Sequence, residues 1–211
     1  MAAEQLYQVH GERGKDPLEP LEEKPYPCPP VSHEPIVNEI FDKIKAEGLT
    51  PFHLPLGIRL NEKNPEESLC VRCETCDGYP CLVDAKSDSQ HMCLMPILKQ
   101  DNVDLLTNAH VTKLVTDETG KKILLAEVKK DGKKQEYKAK TFIVSCGAIN
   151  SSALFLRSKN KKHPKGLGNS SGFVGRHYMC HQNTAIVAIH KKKNTTKFQK
   201  TLGLNDFYYG A

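Results

Sequence analysis

The stretch Thr141–Ser158, TFIVSCGAINSSALFLRS, carries the clearest architectural signal in the chain. Its first five residues, Thr141 to Ser145, read as a short apolar strand with Phe142, Ile143 and Val144 at its centre. Cys146, Gly147 and Ala148 are all small. Asn150 to Ser158 then reads as an amphipathic helix. A buried strand, a small-residue turn and a helix make the β-turn-α unit of a parallel sheet, which places the chain in the α/β class. Small residues after the strand let the backbone approach a ligand closely. The helix start offers unsatisfied N–H groups and a positive dipole end to an anion. Asn150 and Ser151 open the helix, and capping it is their simplest role. An ordinary tight connection with no ligand gives the same local pattern.

Upstream of this unit lies a different arrangement. Residues 103–116 (VDLLTNAHVTKLVT) are rich in β-formers and predict one or two strands. Ile123 to Lys129 predicts another. Lys130-Asp131-Gly132-Lys133 predicts a hairpin turn, because Asp-Gly supplies the two positive-φ positions that such a turn needs. Glu136 to Lys140 returns as the partner strand. Residues 103–140 are therefore expected to form a small antiparallel β-meander, which makes the chain α+β overall.

Nearer the start, residues 1–34 are rich in Pro, Glu and Gly, and repeated prolines block ladder hydrogen bonds. An extended, polyproline-like connection is expected there, with sequence preceding Met1 in the natural fold. Residues 35–47 predict a helix with Ile36, Val37, Ile40, Phe41 and Ile44 on one face, Pro35 in its first turn and Gly48 at its stop. Pro51 to Glu67 is irregular. Ser87 to Gln100 looks helical, with Pro96 bending it. After Gly166, one run, Thr184 to His190, predicts a strand in a stretch otherwise rich in Gly, Asn and Tyr. The expected division is a connection over 1–34, a central body over 35–165, and the beginning of a second domain over 166–211.

The balance of 38% hydrophobic and 26% charged residues among 211 suits a globular chain with a modest core. No apolar run approaches the roughly 18 residues of a membrane helix. The first residues lack the apolar core of a secretory leader, which leaves the compartment open and favours the cytoplasm only by that. The net charge of +5 arises from short lysine runs at turns and strand edges, such as Lys159 to Lys162 and Lys191 to Lys193. These read as solvated loops, and no nucleic-acid partner is expected.

Four of the eight cysteines, Cys70, Cys73, Cys76 and Cys81, fall within one short loop that Gly78 and Pro80 make turn sharply. Their spacing is close to that of iron–sulfur ligands, and four thiolates on one loop also suit zinc. A disulfide between two of them, or thiols packed as small hydrophobes, gives the same spacing. A non-catalytic metal module, with the cysteine loop as its purpose, is accordingly one functional reading.

Taken in order, four strings resemble the glucose–methanol–choline (GMC) oxidoreductases: Cys70–Ser89 (CVRCETCDGYPCLVDAKSDS), Leu105–Asp117 (LLTNAHVTKLVTD), Phe142–Ser158, and Gly166–His181 (GLGNSSGFVGRHYMCH). The resemblance covers residues 65–185 most clearly. It implies a central part of an FAD-binding domain, with a partial Rossmann-like parallel sheet, the inserted meander and the start of a substrate domain. It implies an FAD-dependent dehydrogenase or oxidase that takes hydride from a CH–OH group of a small alcohol or sugar, with an electron-transfer partner possible. Val111 matches the position whose main chain contacts the adenine edge. Cys146, Gly147, Ala148 and Asn150 match the turn near the ribose and pyrophosphate. In the fourth string Gly175 and His181 fit the family pattern, whereas His177, Tyr178 and Cys180 stand where Asn, Leu and Asp are usual. Some bacterial members carry an iron–sulfur cluster at the cysteine loop. They use adjacent cysteines, and here Thr75 separates Cys76 from such a neighbour. The family's Gly-x-Gly-x-x-Gly turn and its C-terminal His-His or His-Asn pair have no match among these residues, so no catalytic residue is assigned. The chain is expected to be a fragment that is inactive alone.

Overall fold

In the computed structural model, residues 2–20, 24–76, 78–189, 191–198 and 200–209 are described. The chain divides into two compact units, one of Met1–Val103 with Ala188–Ala211 and the other of Asp104–Val187.

The second unit is built on the meander. β4 (Ala109–Thr116), β5 (Ile123–Lys130) and β6 (Lys133–Tyr137) form an antiparallel sheet in the order β4-β5-β6. Val111 stands opposite Val128 and Leu114 opposite Ala126, with a bulge between Val111 and Lys113. The Asp131-Gly132 turn has φ of 48° and 82°, the two left-handed positions that a right-twisted two-residue hairpin requires. α4 (Gly147–Arg157) lies against β4. Leu114, Ala126, Val128, Leu154 and Leu167 are the buried core, flanked by Val111, Phe142, Val144 and Phe155.

The first unit contains α1 (Ala2–Leu6), β1 (Val9–His10), α2 (Pro35–Ala46), β2 (Pro51–His53), β3 (Leu56–Gly57), α3 (Met95–Ile97) and β7 (Leu202–Leu204). β1 pairs with β3 and β2 with β7, both antiparallel. α2 buries Val37 and leaves Ile40 47% exposed, so its apolar stripe is narrower than the periodicity suggests. Val31, Ile58 and Phe198 form a second buried cluster, against which Cys70 and Cys76 pack.

Several expectations are corrected. The sheets among the described residues are all small and antiparallel, and the expected parallel sheet is not formed. Thr141–Ser145 is extended without a strand partner. It keeps the alternation of a strand, with Phe142 and Val144 against the core and Ile143 86% exposed. Thr184 to Ile189 is likewise no strand, and Ile186, Val187 and Ile189 are 88%, 88% and 99% exposed; His190 lies outside the described residues. The reason is connectivity: a hairpin supplies its own partner through a short turn, whereas a parallel strand depends on strands brought from elsewhere in the chain. The opening 34 residues are not wholly extended, since α1 and β1 lie within them. There Arg13 bridges Glu4 and Glu19, and Tyr26 donates to Glu19. The helix expected over 87–100 shrinks to a π-turn at Gln90–Leu94 followed by α3, with Pro96 at its start.

Candidate functional site

The residues singled out for a cofactor all lie in the second unit. β4 is an edge strand, and Val111 stands half-buried on it with its side chain against the core. Downstream, the extended Thr141–Ser145 segment reaches the bend Cys146-Gly147-Ala148, which is exposed. Gly147 sits at φ 79° with nothing within 4 Å of where a Cβ would stand. The bend is therefore open to solvent and not sealed beneath other side chains. Cys146 caps α4 by backbone position only, since its side chain makes no hydrogen bond to the helix's first amides. Ser151 accepts the Cys146 N–H at 3.0 Å, which fixes the bend from behind. Asn150 is exposed on the first turn. The arrangement presents free N–H groups and a helix N-terminus, the chemistry that holds a phosphate.

Three polar residues that the sequence reading did not single out hold these pieces in place. Ser158 is completely buried, and its Oγ accepts the Leu114 N–H at 2.9 Å while donating to the Leu154 carbonyl at 2.7 Å. It thereby locks the end of α4 to the free edge of β4. Asn160 Nδ2 donates to Thr116 Oγ1 at 3.1 Å, two residues further along both segments. Buried Asn169 donates to the Lys165 carbonyl at 2.7 Å and accepts the Val174 N–H at 3.0 Å, which closes the Gly-rich loop after the helix. The signal available in sequence was slight: a serine one residue past an amphipathic helix. Beyond that loop, Tyr178 and Met179 are 66% and 87% exposed, and His177 adopts a left-handed φ of 56°. His181 is exposed.

The cysteine loop belongs to the first unit. Cys70, Cys73, Cys76 and Cys81 all line one cavity, together with Ile58, Phe198 and Lys86 among others. All four are free thiols; Cys73 is exposed and the others are half-buried. Burial pushes the Cys70 and Cys76 thiols upward from the ordinary thiol range, while the Thr75 hydroxyl and backbone N–H draw Cys73 downward. Cys81 Sγ accepts the Ala85 N–H at 3.2 Å. Among the described residues, no three or more His, Cys, Asp or Glu side chains are gathered so as to hold a metal ion as they stand. No helix among them is long and apolar enough to cross a membrane.

The second unit is thus a three-stranded antiparallel meander backed by a helix whose N-terminal bend is exposed. The family model of the GMC oxidoreductases matches residues 54–183, more than half of the chain, and the protein belongs to that family, whose members bind FAD. The chain is similar to paromamine 6'-oxidase of Streptomyces fradiae, 32% identical over 138 residues that make up 65% of this chain and 25% of that protein. It is similar to 6'''-hydroxyparomomycin C oxidase of Streptomyces lividus, 32% identical over 61% of this chain and 24% of that protein. It also resembles 2-methyl-1,2-propanediol dehydrogenase of Mycolicibacterium austroafricanum, 30% identical over 50% of this chain and 20% of that protein. The chain thus spans about a quarter of the first two relatives.

Proposed function

We propose that this chain is part of the FAD-binding region of an oxidoreductase that oxidises a CH–OH group of a small alcohol or sugar. The observation that supports it most is the exposed left-handed bend at Gly147, which opens a helix packed on the strand that bears Val111. In this reading the β4 backbone near Val111 lies beside the adenine. Cys146, Gly147 and Ala148 bring the main chain close to the ribose and pyrophosphate, with Asn150 on the following turn. When bound, FAD supplies the hydride acceptor for the oxidation. The residues named here bind and orient; none of them is placed to take the hydroxyl proton, and the base is not among them. The electrons then leave to an acceptor or an electron-transfer partner. The relatives' names, a paromamine 6'-oxidase, a 6'''-hydroxyparomomycin C oxidase and a 2-methyl-1,2-propanediol dehydrogenase, support a small hydroxylated substrate.

ADP, which carries the adenosine and pyrophosphate portions of the cofactor, tests the reading on the isotopically labelled chain. Amide shifts should move together around Val111 and over Cys146–Asn150 as ADP is added. If neither place responds, or only residues of the first unit do, the reading is wrong. The 211 residues alone should neither retain FAD through gel filtration nor oxidise an alcohol, because they contain neither the Gly-x-Gly-x-x-Gly turn nor the His-His or His-Asn pair. A yellow, active preparation would overturn that part.

A further inference from the structure

Among its described residues the loop 69–86 contains no helix or strand, yet both of its ends are pinned to one short segment. The Cys70 N–H donates to the Arg59 carbonyl at 3.0 Å, the Arg59 N–H to the Ala85 carbonyl at 2.8 Å, and the Ser87 N–H to the Gly57 carbonyl at 2.9 Å. Ile58 and Lys86 complete the neck as an isolated antiparallel bridge. Beyond the neck polar contacts tie parts of the loop down: Arg72 pairs with Glu62 and donates to the Ser32 carbonyl at 3.0 Å, and Lys86 Nζ donates to the Tyr79 carbonyl at 2.8 Å. Val71, Tyr79 and Leu82 are 65%, 66% and 94% exposed, so the loop's apolar burial rests mainly on Cys70 and Cys76, which pack on Ile58 and Phe198. The backbone also turns through left-handed φ at Arg72 (49°), Gly78 (80°) and Asp84 (52°). Non-glycine residues adopt that region at a cost, and two of them fall in this one loop.

These turns bring all four cysteines to the wall of a single cavity. Its floor is Ile58 and Phe198, which are 5% and 2% exposed and keep water out from below. Lys86 stands on the wall. The cavity volume is about 20 Å³, the room of one water-sized sphere and so of a single ion. The Cys-x-x-Cys-x-x-Cys-x4-Cys spacing falls within the range of closed four-sulfur zinc sites.

We propose that Cys70, Cys73, Cys76 and Cys81 bind one Zn²⁺ as a structural tetrathiolate site that holds this loop. Binding forms four Zn–S bonds and releases the thiol protons, with no change of oxidation state. The resulting centre carries a net double negative charge, which the Lys86 ammonium partly offsets and the apolar floor shields from water. The sulfurs are not gathered for an ion as they stand, so closing them inward is part of binding, and the metal's affinity is spent on ordering the loop. The inference does not depend on the flavin reading, since its residues lie in the other unit.

The test uses the reduced 211-residue chain with Zn²⁺ alone, followed by alkylation and peptide mapping. One Zn²⁺ per chain should protect Cys70, Cys73, Cys76 and Cys81 together, while exposed Cys146 and Cys180 alkylate as fast as before. Co²⁺ in place of Zn²⁺ should give the intense sulfur-to-metal charge-transfer absorption of a tetrathiolate. Each single Cys→Ser change within the four should weaken binding at least tenfold, and Cys28→Ser should leave it unchanged. Equal alkylation with and without Zn²⁺ overturns the proposal, and so does a preparation that holds several irons with labile sulfide. Because protection is read on the unaltered chain, a variant that fails to fold does not decide the outcome.

Discussion

Ser158 does more than its position suggests. Its hydroxyl satisfies the buried Leu114 N–H on β4 and bonds back to the Leu154 carbonyl within α4, and no solvent reaches it. Replacing it with alanine leaves a buried amide without an acceptor, which costs about 1–3 kcal/mol. Ser151 makes a superficially similar bond to the Cys146 N–H, but at the exposed start of the helix, where water can replace it. Ser158→Ala should therefore lower the urea midpoint clearly, and Ser151→Ala should stay within about 0.5 kcal/mol of the parent. Equal losses in the two variants would show that the buried bond is not what ties α4 to β4. The Ser158 to Leu114 bond joins residues 44 apart, and local sequence patterns do not contain such a pairing. The same holds for His33 and Thr201, 168 residues apart.

The two ends of α4 pose different demands on glycine. At its start, Gly147 has φ 79° but open space around the absent side chain. At the chain reversal after it, Gly166 has φ 106°, and a Cβ there would stand 2.9 Å from the Phe155 carbonyl oxygen and 3.0 Å from Leu156 Cα. Both contacts are backbone and cannot swing aside. Gly147→Ala should cost about 1–2 kcal/mol, the penalty of a left-handed alanine alone. Gly166→Ala adds a collision to that strain and should exceed it by at least as much again, which parallel urea titrations would show. Comparable midpoints would mean that the Gly166 contact relaxes freely. This contrast also marks what sequence could reveal. The hairpin was legible because Asp131-Gly132 states its turn chemistry locally, and α2 because its apolar spacing and Pro35 do the same. The bend at Cys146–Ala148 was legible as a run of small residues. The strand before it was legible only as an extended, alternating segment. Its pairing needs neighbours that 211 residues do not bring together among those described.

Stability as a function of pH follows from a packing arrangement that spans the first unit. His33 comes from the segment before α2, His53 from β2, and Thr201 from the turn before β7. The two imidazoles stack 3.9 Å apart and 3° from parallel, against Phe41 of α2. His53 Nδ1 bonds the Val31 carbonyl at 2.9 Å, His33 Nδ1 meets Thr201 Oγ1 at 2.8 Å, and His33 Nε2 is buried without a partner among the described residues. Burial first, and the neighbouring His53 second, hold His33 down to about 4 from an ordinary 6.5. The native state therefore refuses a proton that the unfolded chain accepts between those two values. The contribution of neutral His33 is fully present above pH 6.5 and is lost progressively as the pH falls toward 4. Over that window the loss is on the order of 2–3 kcal/mol. His33→Phe keeps a flat ring on His53 and removes the titration. Its absolute stability falls, because Thr201 loses its partner, but the slope of the urea midpoint against pH should flatten between 6.5 and 4. An unchanged slope in that variant would assign the acid sensitivity to other groups and leave the stacked pair a packing feature only.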